Sequence, residues 1–305
     1  MTKTTRFRLL RWRWAFLLLL PLFATGGFTF LYQAAPYMIV DPARYNFSGS
    51  PADDDLPFEK IEVRTPDGLS LRGYWVHKSA DSNKTTIILL HGIGACKERW
   101  LPTAAWLWQN GYETVLLDGR AHGESDGEFC TYGFYEKYDV AAIADFVSKQ
   151  KKGGKIGVWG NSLGGAIALQ ALAVDPRLEF GIVQSTFADF RTIVQDYQRR
   201  RLKFSWQWFT DDGIARAEQL AHFSADSIRP AAAARQIRQP ILLAHGTADD
   251  RIKIEYGRQI FANLASADKT FLPVPGAGHS NLMAKGGSDY REAVLLFLAR
   301  REFGY

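Results

Sequence analysis

Apolar runs and amphipathic segments alternate along most of the chain. Eight short segments have the alternating or continuous apolar character of strands, at 58–64, 69–76, 85–90, 113–117, 155–159, 180–184, 241–244 and 270–272. Apolar residues recur at helical spacing in five others, at 97–109, 135–151, 165–173, 256–265 and 290–299. Such alternation predicts an α/β fold, in which helices flank a mostly parallel eight-stranded sheet.

One stretch interrupts this alternation. Residues 187–228 lie between two predicted strands and contain no strand-like run. An insertion here would lie over the carboxyl edge of the sheet, where α/β folds bind ligands. We therefore predict a helical cap. Its arginines at 199–201 and its Trp206 and Trp208 suit either a membrane interface or a packed cap with a solvated basic edge.

The first 57 residues differ from the rest in composition. Residues 1–13 form a basic segment with no acidic residue, and residues 14–32 contain no charge at all. The uncharged run is long enough to cross a bilayer as a helix. The basic flank then favours a cytoplasmic N-terminus, with the rest of the chain on the opposite side. A cleaved signal peptide, which would give a secreted or periplasmic protein, is the alternative, with small residues at 24–26.

Prolines, small residues and an acidic run characterise residues 33–57, which predicts a linker before a domain over 58–305. This length is enough for one large domain and short for two. The net charge of +5 falls to zero without the five basic residues of the N-terminal segment. The folded domain therefore has no basic excess that would indicate nucleic-acid binding.

Cys96 and Cys130 are the only cysteines, so a disulfide scaffold and a C-x-x-C metal site are both excluded. Both would follow strands at the same edge of the sheet. An export route would permit a bond between them, although two unpaired thiols are the simpler interpretation. The sequence contains no metal-ligand cluster, dinucleotide fingerprint or phosphate loop, and no cofactor is predicted.

A Gly-Asn-Ser-Leu-Gly pentapeptide at 160–164 stands between a predicted strand and a predicted helix. A G-x-S-x-G in this context is typical of a nucleophile elbow, whose tight turn requires small flanking residues. The serine, Ser162, is a poor nucleophile by itself. It needs a base within hydrogen-bond reach, and that base needs an acid to orient it.

Three histidines follow Ser162 in the chain, namely His222, His245 and His279. His279 lies in a glycine-rich loop after the last predicted strand, which is the position expected for the base. His245 directly follows a strand, and His222 lies in the predicted cap. We therefore expect His279 to be the base.

The expected acid is Asp249, three positions beyond the glycine of the His-Gly-Thr-Ala-Asp sequence at 245–249. Two alternatives remain. Asp250 would take the role if the loop register shifted, and Asp189 follows the preceding strand, which is another known place for the acid.

Five motifs occur in the order of the α/β-hydrolase superfamily, and the chain resembles its serine hydrolases. They are an oxyanion-type loop at 91–94, a D-x-R-G-x-G-x-S-like loop at 118–125, the elbow at 160–164, H-G-x-x-D at 245–249 and G-H at 278–279. The resemblance runs from about residue 56 to the C-terminus. With its N-terminal segment, the chain is similar to membrane-anchored α/β-hydrolase-domain proteins, a group associated with esters, thioesters and lipids.

Two departures from the motifs are visible. Ala121 stands where glycine is usual, and Ile252-Lys253 stands where Val-Pro often follows the acid. Neither is expected to touch a catalytic atom.

This resemblance implies a mechanism without a cofactor. Ser162 attacks a carbonyl carbon, His279 takes the serine proton, and Asp249 orients the imidazole. The backbone N–H groups of Ile93 and Leu163 are expected to form the oxyanion hole. The implied function is hydrolysis of small-molecule or lipid acyl esters, carboxylic or thioester. The alternatives are an acyltransferase or a serine peptidase with the same three residues and, from another class, a non-catalytic binding protein on the same fold.

Overall fold

The computed structural model describes residues 25–77, 84–151, 153–203 and 206–303. Eight strands form one sheet: β1 Phe58–Arg64, β2 Ser70–Val76, β3 Thr86–Leu90, β4 Glu113–Leu117, β5 Ile156–Asn161, β6 Leu178–Gln184, β7 Ile241–Gly246 and β8 Lys269–Val274. Their order is β1-β2-β4-β3-β5-β6-β7-β8. Only the β1–β2 and β2–β4 pairings are antiparallel. The predicted mostly parallel eight-stranded sheet is confirmed.

Helices cover both faces of the sheet. They are α1 over residues 25–40, α2 Leu101–Gln109, α3 Glu136–Gln150, α4 Leu163–Val174, α5 Phe190–Leu202, α6 Gln207–Ala221, α7 Pro230–Ala233, α8 Ile254–Asn263 and α9 Leu282–Phe303. One apolar core joins the sheet to α3, α4, α7 and α8, and a second joins its other face to α2 and α9. The central strands are therefore buried on both sides, which explains why they are continuous apolar runs in the sequence.

Two helices, α5 and α6, occupy the segment where the sequence predicts a cap. Their inward side chains, among them Phe190 and Ile214, are fully buried in a third apolar cluster. Val40, at the end of α1, belongs to the same cluster. The cap therefore has a small core of its own, to which the N-terminal helix contributes.

A few positions of the predicted linker, 33–57, contact the rest of the domain, although most of its residues are exposed. The first of them complete α1, and Val40 is fully buried. Its carbonyl accepts a hydrogen bond from the Cys130 N–H at 2.8 Å. The Arg44 guanidinium donates to the Ser125 carbonyl at 2.6 Å. Prolines and acidic residues signal exposure locally, but they do not reveal the few positions that tertiary contacts bury.

The N-terminal predictions fall largely outside the described residues. The basic segment 1–13 and the first part of the predicted anchor, 14–24, both lie there. The remainder of the anchor, 25–32, belongs to α1. Within the described ranges, no helix combines the length and the apolar character that crossing a bilayer requires.

Candidate active site

Ser162 occupies the turn between β5 and α4, at φ 57° and ψ −117°. A side chain at positive φ costs of order 1–3 kcal/mol and persists only where its surroundings hold it. Here the Ser162 N–H donates to the Gln184 carbonyl at 2.9 Å, and the Thr186 hydroxyl donates to the Ser162 carbonyl at 2.7 Å. The turn places the serine at the carboxyl edge of the sheet.

The two glycines of the pentapeptide allow α4 to approach the sheet closely. A Cβ atom at Gly160 would lie 2.1 Å from the carbonyl oxygen of Gly164. At Gly164, it would lie 2.1 Å from the carbonyl oxygen of Leu90 in β3. Both contacts are with backbone, which cannot swing away, so the turn can form only with glycine at these positions.

The structure brings Ser162, His279 and Asp249 into one hydrogen-bonded chain. His279 Nε2 lies 3.0 Å from Ser162 Oγ, although the two residues are 117 positions apart. His279 Nδ1 lies 2.9 Å from Asp249 Oδ2. His279 comes from the loop after β8 and Asp249 from the loop after β7. Parallel strands deliver both loops to the edge where Ser162 lies.

The Asp249 side chain is 0% exposed. Burial by itself raises the pKa of this carboxyl, but the hydrogen bonds from His279 and the Ile252 N–H outweigh it, so its pKa lies below the ordinary value. The other oxygen, Oδ1, accepts from the N–H groups of Arg251 and Ile252, both at 2.9 Å. An ionised Asp249 can only accept. His279 therefore carries its hydrogen on Nδ1, which leaves Nε2 free to accept from Ser162.

The alternative acids lie elsewhere. Asp250 is exposed and makes no hydrogen bond or ion pair with any described residue. Asp189 caps α5, where its Oδ1 accepts from the Thr192 N–H at 3.0 Å. Asp249 is accordingly the carboxylate that orients His279.

The other two downstream histidines have structural contacts. The buried His245 donates from Nε2 to the Ile252 carbonyl at 2.8 Å and so braces the turn that carries Asp249. Burial lowers the pKa of His245, which keeps the ring neutral. His222 ends α6 in the left-handed conformation, at φ 52°.

Ile93 and Leu163 both lie beside the serine. Leu163 is the first residue of α4, so its N–H has no acceptor within the helix. Ile93 lies in the loop after β3 and lines the same cavity as Ser162. A Cβ at Gly92 would lie 3.4 Å from the Ser162 Cβ, so this loop passes directly beside Ser162.

A family profile with the description "Alpha/beta hydrolase family" matches residues 87–293. The chain belongs to the alpha/beta hydrolase family.

Proteins similar to this hydrolase agree with that assignment. YqkD of Bacillus subtilis is 25% identical over 250 residues, covering 79% of this chain and 81% of YqkD. The 2,6-dihydropseudooxynicotine hydrolase of Paenarthrobacter nicotinovorans is 27% identical over 77% of this chain and 59% of its own length. The Pyrococcus furiosus esterase Pf2001 superposes with a TM-score of 0.72 at 23% identity, over 86% of this chain and 98% of the esterase. The family and the hydrolase relative support an enzyme with hydrolytic activity.

Two histidines hold the loop after β3 of this hydrolase. His91 Nε2 accepts from the Gly119 N–H at 2.9 Å, and its Nδ1 donates to the Gly92 carbonyl at 2.9 Å. His122 packs edge-on against His91 with ring centroids 4.9 Å apart. Burial, together with the nearby His91, lowers the pKa of His122 to about 3. Both rings are therefore neutral, and they position backbone rather than carry charge.

Cys96, Glu98 and Asp118 form a cluster with the atoms of a metal site, each offering a ligand atom within 4.8 Å of the others. The Lys97 ammonium lies among them, 2.7 Å from Asp118 and 3.1 Å from Glu98. Burial and the hydrogen bond to Glu98 raise the pKa of the Cys96 thiol to about 11, so it stays protonated. The cluster is thus an ion network around a buried lysine, which no local sequence pattern predicts. Cys96 and Cys130 are both free, buried thiols.

A cavity of about 410 Å³ opens over Ser162 and His279. Apolar residues from loops, helices and strand β5 form part of its wall: Phe47, Ile93, Trp100, Trp159, Leu282 and Met283. Phe47 belongs to the predicted linker, residues 33–57. Tyr197 of α5 brings the cap to the same cavity.

Proposed function

We propose that this protein is a serine hydrolase that cleaves carboxylic esters or thioesters of small-molecule or lipid-derived acyl groups. The observation that carries the proposal is the chain of two hydrogen bonds, 3.0 and 2.9 Å, that links Ser162 through His279 to Asp249 beside a cavity with both polar and apolar lining residues. This arrangement meets the geometric requirement for an activated serine.

The reaction proceeds in two halves. Ser162 Oγ attacks the acyl carbon while its proton passes to His279 Nε2, and the ionised Asp249 stabilises the imidazolium. The N–H groups of Ile93 and Leu163 bind the oxyanion, and each such donor lowers the barrier by about 3 kcal/mol. The alcohol or thiol leaves with the proton from His279. Water then attacks the acyl-enzyme with His279 as base, which releases the acid and restores the serine.

A fluorophosphonate probe tests the nucleophile. We expect the folded protein to be labelled at one serine, and peptide mass analysis should place the label on Ser162. Ser280 is a matched control inside the same cavity, because it makes no hydrogen bond to an imidazole within the described part of the chain. Heat-denatured protein should not react. A label on Ser280, or none on folded protein, would refute the proposal. Product analysis with and without alcohol acceptors separates hydrolysis from acyl transfer.

We also propose that residues 14–32 anchor the protein in a membrane, with its cap near the bilayer. The charge-free run follows a basic segment in the sequence. Phe30 of α1 is 72% exposed. The Phe28 ring lies 6.3 Å from that of Trp208 in the cap. Trp206 and Trp208 are 49% and 55% exposed, as suits side chains at headgroup level.

Membrane retention after carbonate extraction tests the anchor. The full chain should stay in the membrane pellet. Leu17→Arg combined with Leu20→Arg should release it, because each charge near a bilayer centre costs about 2.5–3.5 kcal/mol. Leu296→Arg, at a 55% exposed position on α9, should not. Recovery of the wild-type chain in the soluble fraction, or a mature N-terminus beyond residue 26, would contradict the anchor.

A further inference from the structure

We propose that the cavity over Ser162 selects acyl esters that carry a second, negatively charged oxyacid group, bound by Arg99 and Arg251. The inference rests on the proposed function and names the substrate class of the same site. It comes from the charges of the cavity wall rather than from the hydrogen-bonded chain at the serine.

The permanently charged residues that line the cavity are cations. Arg99 and Arg251 both line it, whereas none of the described residues that line it carries a carboxylate. Both arginines are exposed, and neither forms an ion pair with a carboxylate in the described part of the chain. Several other arginines of the domain do form ion pairs, as Arg72 does with Asp126 at 2.8 Å. Two residues whose guanidinium groups have no carboxylate partner in the described part of the chain thus line the space next to Ser162.

Arg251 is held close to the reacting groups. Its N–H donates to Asp249 Oδ1 at 2.9 Å, so the turn that fixes the acid also fixes the start of this side chain. A cation here disfavours the positive charge that His279 gains when Ser162 attacks. A bound anion would neutralise the guanidinium and remove that penalty. An anionic substrate should therefore bind more tightly and react faster with Ser162.

Arg99 is positioned by an aromatic ring. It belongs to the 3-10 turn Lys97–Trp100, in which Lys97 and Trp100 are buried. The Arg99 guanidinium lies 5.5 Å from the ring centroid of Phe47, which also lines the cavity. A guanidinium over a ring keeps its N–H donors in its own plane and available to a ligand.

The cap adds a third positive group behind the cavity wall. The Arg200 guanidinium lies 4.4 Å from the ring centroid of Tyr197, the cap residue that lines the cavity. One Nη atom of Arg200 is buried with no hydrogen-bond partner among the described residues. Positive charge therefore surrounds the cavity from the loops after β3 and β7 and from the cap.

The chemistry of the ligand follows from these groups. Guanidinium binds carboxylate and phosphate oxygens in a planar, often bidentate arrangement. The apolar wall suits a hydrocarbon segment between that anion and the scissile carbonyl. The favoured substrate is therefore an ester with an apolar acyl chain that ends in a carboxylate or a phosphate.

Three matched esters test this inference. Mono-p-nitrophenyl adipate carries a free carboxylate, its methyl ester is neutral, and a p-nitrophenyl ester with a terminal phosphate distinguishes the two anions. We expect kcat/KM of the wild type to favour an anionic ester over the neutral one by about tenfold, as a charge-assisted hydrogen bond allows. Arg99→Gln and Arg251→Gln should each lower this ratio about threefold to fivefold. The double variant should bring it near one.

Two controls test the cause of the preference for anionic over neutral esters in kcat/KM. Arg258→Gln removes an arginine of α8 that is 63% exposed and pairs with Glu255, and it should leave the ratio unchanged. Raising the ionic strength to about 1 M, where the Debye length is about 3 Å, should lower the ratio in the wild type but not in the double variant.

The outcomes separate the two proposals. A wild type that cleaves the neutral ester at least as well as both anionic esters overturns the anion selectivity and leaves the serine hydrolase standing. The same holds if the double variant retains the wild-type ratio. A protein that cleaves none of the three esters overturns both.

Discussion

Asp249→Asn is expected to lower kcat for p-nitrophenyl ester hydrolysis by about 10⁴-fold, the effect of presenting the wrong histidine tautomer to a serine. The asparagine Oδ1 can still accept from the N–H groups of Arg251 and Ile252, so the turn should persist. Its amide nitrogen would instead face His279 Nδ1 as a donor. The ring would then carry its hydrogen on Nε2, which points at Ser162 and cannot accept the proton.

Asp250→Asn is the matched control for this prediction. It changes the neighbouring carboxylate in the same way, but Asp250 is exposed and contacts no described hydrogen-bonding group. Its kcat should stay within about twofold of the wild type. Steady-state kinetics and the rate of fluorophosphonate labelling should fall together in Asp249→Asn. An Asp249→Asn variant that kept a tenth of the activity, or an equal loss in Asp250→Asn, would show that Asp249 does not orient His279.

Lys97→Met is expected to lower the free energy of unfolding by about 3–5 kcal/mol. Lys97 is 2% exposed, and its Nζ donates to Asp118 at 2.7 Å and to Glu124 at 2.8 Å. Burial alone lowers the pKa of this lysine, but its acidic partners raise it above the ordinary value, so the ammonium is charged. Methionine has about the volume of the lysine side chain but no charge, so it leaves the fully buried Asp118 carboxylate without its cation. Urea unfolding with an unchanged m value measures the loss.

A double-mutant cycle tests the cause of this destabilisation. Asp118→Asn removes the stranded charge, so Lys97→Met should be less costly in that background, with a coupling energy of about 1–3 kcal/mol. Lys149→Met, at an exposed position of α3, should change stability by less than about 0.5 kcal/mol. Two outcomes would show that the Lys97–Asp118 ion pair does not stabilise the fold. One is an equal loss of unfolding free energy in Lys97→Met and Lys149→Met, and the other is additivity of Lys97→Met and Asp118→Asn.

The ion network also explains how the loop beside the serine is held. Asp118 Oδ1 accepts from the Lys97 N–H at 2.8 Å, and Asp118 Oδ2 accepts from the Glu124 N–H at 3.0 Å. Gly123 makes room for this, because a Cβ there would lie 2.2 Å from the Asp118 carboxyl group. The carboxylate thus ties the loops after β3 and β4 together. Lys97→Met should therefore also loosen the placement of Ile93.

The nucleophile elbow can be recognised in the sequence because steric contacts at short range require its glycines. Gly160 and Gly164 are required by contacts within a few residues or with the adjacent strand, so their spacing around Ser162 identifies the turn. The placement of Asp249 and His279 could be predicted because parallel strands end at one edge of the sheet. The contacts that the predicted linker makes with the domain could not be predicted. Its contacts, such as Arg44 with Ser125 carbonyl, join positions 81 apart and leave no periodic pattern.

Local patterns in the sequence predict the alternation of strands and helices, the turn that presents Ser162 and the order of the groups that follow it. Those features depend on backbone sterics and hydrophobic periodicity, which act over a few residues. Which carboxylate contacts His279 depends on tertiary packing, because Asp249 and Asp250 differ in burial rather than in type. Tertiary packing also places Arg99 and Arg251 at one cavity, since no local signal shows that two distant guanidinium groups share the same space without a carboxylate partner.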